Sequence, residues 1–491
     1  MLQKILDYNF KEIDVFRYLC ITMGIMTFVL LSVLKTDFLY IDDLRIAATP
    51  NNSGLGRPLY DYIFSFLHGK VLINASPASQ LICLFSLSLS SYIILKSLQI
   101  KINIYCGVIS AVIIGRYGMV EVLSYKLDSM MHIFPILFSA LAFYIMVNDK
   151  IQNIIYKIIM STILCSMAIS LYQHGIIIYV ILMLFCTIKN ITSGKKINYE
   201  IAIPVILCFV LYWLYLKNIN LGNLALATMQ YLEVINLQKR ANTIINSYLL
   251  NNHEQAILLM STICIMLIKD LVQIYLAKDY SYKCIKFITI ILFYPAILFA
   301  QYLFTFFILH DGPSLVPRGS YLHGVVLFIN LCSLGEYIKK NHIKLLFIIS
   351  IYILVLKIAL LVNFYGNMLT SQDRHVSYTL NRVIPFINLA HHDLKLDYFV
   401  VENSIGFAPI ITQYLPHHQW LRTLVPVHIN SWFGWSYRQM QHYGVKPTQL
   451  IDKNSIKRRN QECLGKDRSI YVEFDDFRIE YNGCLLFLIF K

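Results

Sequence analysis

The chain has 491 residues, of which 57% are hydrophobic and only 14% are charged. A soluble globular domain has roughly 45–50% apolar and about 25% charged residues. This composition excludes soluble, disordered and fibrous proteins and indicates a polytopic α-helical membrane protein. The net charge of +14 does not indicate a nucleic-acid partner. No nucleic-acid-binding motif is present, and lysine and arginine mark the cytoplasmic loops of membrane proteins.

Apolar windows of about 17–25 residues, long enough to cross a bilayer core about 30 Å thick, predict about eleven transmembrane helices. They lie near residues 14–34, 79–97, 103–119, 132–148, 154–171, 175–188, 199–217, 255–276, 286–309, 319–336 and 344–363. With the amino terminus in the cytoplasm, every inner loop is basic, as the positive-inside rule requires. The first window has no small-residue cleavage site after it and predicts an uncleaved signal anchor.

Two domains are predicted from the distribution of these windows. Residues 1–363 form a transmembrane domain with an outer loop at 35–78, and an odd number of spans places residues 364–491 outside. The external part is long enough for a small α/β domain. Its two cysteines, Cys463 and Cys484, form a disulfide in an oxidising compartment or remain two free thiols, and both alternatives stay open here.

The end of this external domain has the pattern of a β-sheet. Residues 470–474 and 477–481 alternate with period two, which predicts two strands. The dipeptide Asn482-Gly483 then predicts a type I′ turn. The apolar run Cys484–Phe490 is too short to cross a bilayer, and we interpret it as a central strand.

An acidic pair follows the outer end of the first span, in the sequence Phe38-Leu39-Tyr40-Ile41-Asp42-Asp43-Leu44-Arg45. Adjacent carboxylates repel each other, and a lipid-adjacent setting penalises the charged form. One of Asp42 and Asp43 can therefore act as a base, while Arg45 holds its neighbour ionised. The alternative interpretation is a polar helix end within the lipid headgroups.

Two arginines in outer loops are candidates for contacts with a phosphate or a sugar. Arg57 lies in Gly56-Arg57-Pro58-Leu59, where glycine permits close approach of the backbone to a ligand. An ordinary loop-to-helix junction, with proline at the first helical position, explains the same residues. Arg318 follows Pro317 at the predicted membrane edge, where a guanidinium suits a phosphate group.

Arg116 lies in the third predicted span. A charge in the middle of a membrane costs at least about 2.5–3.5 kcal/mol, so such a residue indicates function. The alternative is a snorkelling side chain near the outer end of the span. We expect Glu121, Lys126 and Asp128, which follow it, to lie in a short amphipathic outer loop.

The external domain contains Trp432, Trp435 and Arg438. Aromatic rings beside arginines are common on sugar-binding surfaces and also where a domain rests on a membrane. The adjacent pairs His391-His392 and His417-His418 lack the spacing of zinc ligands, so no metal site is predicted. No phosphate-binding loop, dinucleotide fingerprint or Ser/His/Asp signature is present, and no cofactor is predicted.

Together these features resemble the GT-C glycosyltransferases, and more closely the Gtr-type glucosyltransferases that modify O-antigen and convert serotype in enteric bacteria. The resemblance rests on the acidic pair Asp42-Asp43 outside the first span and on Gly56-Arg57-Pro58-Leu59, with Pro317-Arg318 as weaker support. In layout, with about ten further spans and an external carboxyl-terminal domain, it covers essentially the whole chain.

The resemblance implies an inverting hexosyltransferase, most often a glucosyltransferase, in the bacterial inner membrane. The donor would be an undecaprenyl-phosphate-linked sugar and the acceptor a lipid-linked O-antigen glycan on the periplasmic face. A donor-synthesising transferase and a flippase are the implied protein partners. Residue by residue, Asp42 or Asp43 would be the base.

The resemblance also assigns roles to basic and aromatic residues. Arg318 and Arg116 would stabilise the departing lipid phosphate, with Arg57 and Arg45 as weaker candidates. The carboxyl-terminal domain would hold the acceptor, through residues Trp432, Trp435 and Arg438.

Two other classes remain as alternatives. An O-antigen polymerase is also polytopic and acts on periplasmic lipid-linked glycan, but we expect it to concentrate arginines in large loops without an acidic pair after the first span. A transporter or flippase should have broken helices or paired repeats with polar sites at the midplane. Here the polar residues gather at the predicted outer face.

Overall fold

The computed structural model describes residues 11–40, 43, 57–68, 76–218, 253–276, 283–308, 321–430, 434–449 and 467–491. The chain divides into two compact units. The first comprises Met1–Leu34 and Asn51–Asn363, and the second comprises Lys35–Pro50 and Phe364–Lys491.

The described secondary structure of the first unit is helical, apart from an isolated antiparallel β-bridge between Glu12 and Asn103. Its helices are α1 (Val15–Lys35), α2 (Pro58–His68), α3 (Ala78–Ser97), α4 (Ile104–Ile109), α5 (Ala111–Ile114), α6 (Tyr117–Ser124), α7 (Ser129–Val147), α8 (Ile154–Leu171), α9 (Ile177–Thr192), α10 (Ile203–Asn218), α11 (His253–Leu276), α12 (Lys283–Ile308) and α13 (His323–Tyr337). Short 3₁₀ segments at Gln173–Ile176 and Tyr199–Ala202 precede α9 and α10. The long helix α14 (Asn341–Leu394) begins in the first unit and ends in the second.

Local signals explain where several helices begin and end. The side chains of Asn103 and Asn153 accept hydrogen bonds from the backbone N–H of Cys106 and Tyr156, which caps the first turns of α4 and α8. At the end of α3, the Ile100 N–H donates to the Leu95 carbonyl across 2.9 Å. This bond satisfies a carbonyl that the helix end would otherwise leave unpaired.

Seven helices in the described part of the chain are long and apolar enough to cross a membrane. This agrees with a polytopic membrane protein, but the predicted number of about eleven spans is not confirmed. Helices α7 and α3 lie side by side, and α7 also packs on α8 and α9. Ser32 of α1 donates through its Oγ to Asn363 Oδ1 at 2.8 Å, which joins the first and last apolar helices of this unit.

The third predicted span, near residues 103–119, is not one straight helix. The helix over Ile104–Ile114 and helix α6 meet at a bend of 76°. At the bend, Arg116 has an extended backbone with φ −89° and ψ 137°, which ends one helix and begins the next. The sequence predicted a span here but not the bend, because hydropathy averaged over a window carries no information on helix direction.

The second unit contains a five-stranded sheet with the order β2-β1-β5-β4-β3. The strands are β1 (Tyr398–Val401), β2 (Thr448–Gln449), β3 (Ser469–Glu473), β4 (Phe477–Tyr481) and β5 (Leu486–Phe490). Strand β1 runs parallel to β2 and β5, whereas β4 runs antiparallel to β3 and β5. The predicted strands near 470–474 and 477–481 are confirmed, and so is the central position of the last strand.

One face of this sheet packs against helices. Phe399 and Leu488 lie in a buried cluster with Val383 of α14 and Met440 of helix α17 (Gly434–His442). Two short helices, α15 (Pro409–Tyr414) and α16 (Leu421–Leu424), precede α17. The alternating pattern of the strands is therefore explained by burial of one face against helices.

The predicted type I′ turn between β4 and β5 was wrong. Tyr481 pairs with Leu486, so the connection is longer than two residues. Gly483 has a positive φ of 79°, whereas a type I′ turn needs positive φ at both central residues. Instead, Asn482 Oδ1 accepts hydrogen bonds from the N–H groups of Cys484 and Leu485, which stabilises the wider connection.

Candidate functional site

Asp43 lies in the second unit, three residues after Tyr40. Its backbone N–H donates to the Tyr40 carbonyl at 2.9 Å, and its Oδ2 accepts from the Tyr40 N–H at 3.0 Å. The bond from the Tyr40 N–H to the Asp43 carboxylate is the side-chain half of a capping box, and the bond from the Asp43 N–H to the Tyr40 carbonyl closes the turn through the main chain. The Asp43 side chain is fully buried. One carboxylate oxygen of Asp43 therefore has a structural partner, which fixes the orientation of the carboxylate.

Residues near position 425 hold the segment that carries Asp43. The Tyr40 hydroxyl donates to the Leu424 carbonyl, and Phe38 stacks on His428 with ring centroids 5.3 Å apart. His428 Nε2 donates to the Leu39 carbonyl at 3.2 Å. Burial lowers the pKa of His428 to about 4, although the hydrogen bond to Leu39 opposes this shift. His428 is therefore neutral at physiological pH.

In the first unit, the bend at Arg116 directs the following segment, residues 117–128, towards the interior of the helix bundle. Arg116 is only 5% exposed, and Glu121, Lys126 and Asp128 are buried as well. The Lys126 ammonium donates to the Val33 carbonyl of α1 at 3.0 Å. The expected amphipathic outer loop was therefore wrong. The helix break lets these charged side chains find partners inside the bundle.

A buried network surrounds Asp128. The Tyr60 hydroxyl donates to Asp128 Oδ1 at 2.5 Å, and His132 Nε2 lies 3.1 Å from Asp128 Oδ2. Burial alone raises the pKa of Asp128. The charge and hydrogen bond of His132, the Tyr60 hydrogen bond and the Arg57 charge together lower it to about 2. Asp128 is therefore ionised despite its burial.

Arg57 lies beside this network, just before α2. Its Nε donates to Gln173 Oε1 at 3.1 Å, and its guanidinium carbon lies 4.6 Å from the centroid of the Tyr172 ring. Tyr172 also contacts His132 edge to face, with ring centroids 4.1 Å apart. Gln173 Nε2 in turn donates to the Tyr212 hydroxyl at 3.1 Å. The Arg57 guanidinium is thus fixed on one edge and one face.

Close helix packing places Tyr172 and Gln173. The 3₁₀ segment that follows Tyr172 lies directly against α7 at Gly175. A Cβ atom on Gly175 would come within 2.1 Å of the Cβ of Pro135. Only glycine fits there, so the segment approaches α7 closely enough for Tyr172 to meet both His132 and Arg57.

The predicted site residues that the structure describes are divided between the two units. Arg57 and Asp128 share one buried neighbourhood in the first unit, whereas Asp43 lies in the second unit. Arg438 lies on α17 of the second unit and is partly buried. Other predicted residues, or their side chains, lie outside the described part of the chain: Asp42, Arg45, Arg318, Trp432 and Trp435.

Sequence reasoning missed Tyr60, His132, Tyr172 and Gln173. His132 stood at the edge of an apolar window, where an ionisable residue is by default a functional candidate. Tyr172 and Gln173 separate two apolar windows, and nothing in the local pattern connects them with Arg57. In the described part of the chain, no group of three or more His, Cys, Asp or Glu residues could hold a metal ion.

Comparison with known proteins gives two matches. The family model described as glucosyl transferase GtrII matches residues 31–329, more than half of the chain. An uncharacterized 55.3 kDa protein of the gtrB 5′ region in Salmonella phage P22 is 27% identical over 184 residues. That alignment covers 37% of this chain and 37% of the phage protein. No solved structure gives a significant match.

Proposed function

The chain belongs to the glucosyl transferase GtrII family, and from this membership we propose a specific transfer reaction. The chain moves a glucosyl residue from undecaprenyl-phosphate-glucose to O-antigen repeat units on the periplasmic face of the bacterial inner membrane. The observation that carries the proposal is the family match over residues 31–329, a range that contains the acidic pair and Arg57, Arg116 and Arg318.

The cations of the first unit support a lipid-phosphate donor. Arg57, Arg116 and Lys126 are three cations of the first unit, of which Arg116 and Lys126 are buried and Arg57 is partly exposed. A departing phosphate gains negative charge, and preorganised cations in a water-poor site stabilise that charge. Arg318 and Arg45 complete the set of candidate phosphate ligands in this proposal.

The reaction is a single displacement at the anomeric carbon. The acceptor hydroxyl oxygen forms a bond to that carbon while Asp42 or Asp43 takes its proton. The bond from the anomeric carbon to the phosphate oxygen breaks, and its electron pair leaves with the lipid phosphate. Attack opposite the leaving group inverts the anomeric configuration. The hydrogen bonds around Asp43 support a carboxylate of fixed orientation at this step.

Two observations support the proposed orientation. Lys96 and Lys189 lie in the last turns of α3 and α9, whereas Ser79 at the start of α3 contacts Lys126 and Gln173 just before α9 contacts Arg57, so these lysines lie on the side expected to be cytoplasmic. Cys484 of the second unit is disulfide-bonded, as expected in the periplasm. Trp432, Trp435 and Arg438 of this unit would then contact the acceptor glycan.

The proposal is tested in a bacterial strain with an undecorated O-antigen of known structure and with the enzymes that make and flip the donor. The chain, Asp42→Asn and Asp43→Asn are expressed separately, and the mass of the released O-antigen repeat is recorded. We expect the wild-type chain to add one hexose per repeat, and one of the variants to abolish this addition at an unchanged membrane level.

Other outcomes of the same experiment contradict the proposal. A changed chain-length distribution at constant repeat mass would identify a polymerase instead. If neither mass nor chain length changes in strains with several different acceptors, O-antigen glucosylation is wrong.

A further inference from the structure

We propose that Tyr172 and Gln173 are positioning residues that present the outer edge of the Arg57 guanidinium to a phosphate oxygen of the lipid-linked donor. A second network, Tyr60–Asp128–His132, keeps this guanidinium without a counter-ion of its own. The inference rests on the proposed function, since it names the residues that prepare the phosphate site.

Among the described residues, the contacts of Arg57 involve one edge and one face of its guanidinium. Gln173 Oε1 accepts from Nε, and the Tyr172 ring covers one face. In the described part of the chain, Nη1 and Nη2 make no hydrogen bond and no ion pair. These two nitrogens form the edge that binds phosphate oxygens in a bidentate manner. Arg57 is also partly exposed, so a ligand can reach it.

Gln173 has its own anchor. Its Nε2 donates to the Tyr212 hydroxyl at 3.1 Å, and the side chain is buried. The amide therefore presents its oxygen to Arg57 rather than its nitrogen. A neutral acceptor orients the guanidinium without cancelling its charge, which a glutamate in the same place would do.

Asp128 is the carboxylate whose pKa the Arg57 charge lowers, yet it forms no ion pair with Arg57. Its two oxygens are already bound by Tyr60 and by His132, at 2.5 and 3.1 Å. Both carboxylate oxygens of Asp128 are therefore engaged by Tyr60 and His132 rather than by Arg57. An arginine with a directly bound carboxylate would have to lose that partner before it could bind a phosphate.

The Tyr172 ring links the two networks. It stacks against the Arg57 guanidinium and contacts the His132 ring. A ring face attracts a cation through its quadrupole without neutralising the charge. The ring, rather than the hydroxyl, is therefore the part of Tyr172 that positions Arg57.

The test measures binding by the purified full-length chain in detergent. The probes are a short-chain polyprenyl monophosphate and the uncharged prenol of the same length. We expect wild type to prefer the phosphate, and Gln173→Glu to reduce this preference about tenfold or more, because the new carboxylate pairs with Arg57. The matched control is Gln152→Glu, which adds the same charge at an exposed position and leaves the preference unchanged.

A second pair of variants isolates the ring. Tyr172→Phe keeps the ring and should retain the preference, whereas Tyr172→Leu removes the ring and should lower it several-fold. If Gln173→Glu fails to fold, the comparison of Tyr172→Phe with Tyr172→Leu still tests the positioning role. A general loss of structure would weaken binding of phosphate and prenol alike, so the ratio of the two affinities reports on Arg57.

The outcomes separate the inference from the proposed function. If wild type binds the phosphate no better than the prenol, the lipid-phosphate donor of the proposed function is wrong. If wild type discriminates but Gln173→Glu and Tyr172→Leu discriminate equally well, the positioning role is wrong and the donor class stands.

Discussion

His132 Nε2 lies 3.1 Å from Asp128 Oδ2, and the two side chains are buried one helical turn apart at the start of α7. Tyr60 is buried beside this pair, and its hydroxyl donates a hydrogen bond to the other carboxylate oxygen of Asp128. Burial of a lone carboxylate would favour its neutral form. Here the partners outweigh burial, so the fold depends on an ionised carboxylate inside the bundle.

This dependence predicts acid sensitivity. The pKa of Asp128 is about 2 in the folded chain, below its ordinary value of 3.8. A depressed carboxyl pKa stabilises the fold above the ordinary value, and this contribution is lost as the pH falls from about 4 to about 2. Its size is on the order of 2 kcal/mol. Thermal unfolding at several pH values should show a smaller loss in this window for Asp128→Asn than for wild type.

The control for this prediction is Asp149→Asn, because Asp149 is exposed in a loop of the same unit. That variant should keep the wild-type acid sensitivity. If Asp128→Asn loses as much stability between pH 4 and pH 2 as wild type does, the ionised Asp128 carboxylate does not stabilise the fold.

His428 predicts a second, separate pH window. Burial lowers its pKa from 6.5 to about 4, so folding favours the neutral ring. Stability from this group is complete above about pH 6.5 and is lost as the pH falls towards 4, by roughly 3 kcal/mol. Hydrogen exchange of peptides covering residues 36–40 and 421–429, corrected for intrinsic rates, should be faster at pH 5 than at pH 7.5.

Variants of His428 test the cause of this effect. His428→Phe keeps a ring against Phe38 but cannot take up a proton, so exchange should become nearly independent of pH in this range. His417→Gln, at an exposed position, should behave like wild type. Equal pH dependence in His428→Phe and wild type would mean that another group titrates.

Much of the helical layout was predictable from sequence, whereas the site was not. Windows near 79–97 and 154–171 agree with α3 and α8 within one residue, because a bilayer requires a minimum apolar length. The strands β3 and β4 were predictable because one face of the sheet is buried. Such patterns are local, and each residue contributes to them independently of distant parts of the chain.

The contacts of Arg57 are of another kind. Gln173 is 116 residues away in sequence, and Asp128 belongs to a third segment. The family resemblance made Arg57 a weaker phosphate candidate than Arg116, and an ordinary loop-to-helix junction also explains the Gly-Arg-Pro sequence. No local pattern shows that Tyr60 and His132 bind the two carboxylate oxygens of Asp128. These two bonds explain why Asp128 forms no direct ion pair with Arg57.

Close backbone packing predicts the effect of one glycine substitution. A Cβ atom on Gly324 of α13 would lie 2.5 Å from the Ile113 carbonyl oxygen and 2.8 Å from the Ile113 Cα. Backbone atoms cannot move aside as a flexible side chain can. Gly324→Ala should therefore destabilise the first unit by about 1–3 kcal/mol, measured as a lower unfolding temperature of the purified chain.

Gly24 offers the matched control. It lies on an exposed face of α1, where a Cβ atom would meet nothing within 4 Å. In a helix interior, alanine is more favourable than glycine by about 1 kcal/mol, so Gly24→Ala should be neutral or slightly stabilising. Equal unfolding temperatures for the two variants would show that α13 does not pack this closely on α5.

The cysteines predict a labelling pattern. Cys484 is disulfide-bonded, whereas nine other cysteines are free: Cys20, Cys83, Cys106, Cys165, Cys186, Cys208, Cys264, Cys284 and Cys332. Cys463 lies outside the described residues, and its pairing with Cys484 is one of the two alternatives that the sequence leaves open; we predict this pairing because Cys463 is the remaining cysteine of the sequence. Alkylation of the denatured chain from bacterial membranes should therefore modify these nine cysteines without reductant and all 11 with it. Mass spectrometry of an unreduced digest should link the peptides of Cys484 and Cys463.

The same bond should stabilise the second unit. Cys484 flanks a buried cluster on one face of the sheet, formed by Leu485, Phe487 and Ile489. Cys484→Ser should cost about 2–4 kcal/mol and increase proteolysis in this unit, whereas Cys264→Ser, at an exposed free cysteine, should not. Disulfides persist in the periplasm and are rare in the cytosol. A free Cys484 thiol in chain taken directly from membranes would contradict both the bond and the proposed periplasmic side of the second unit.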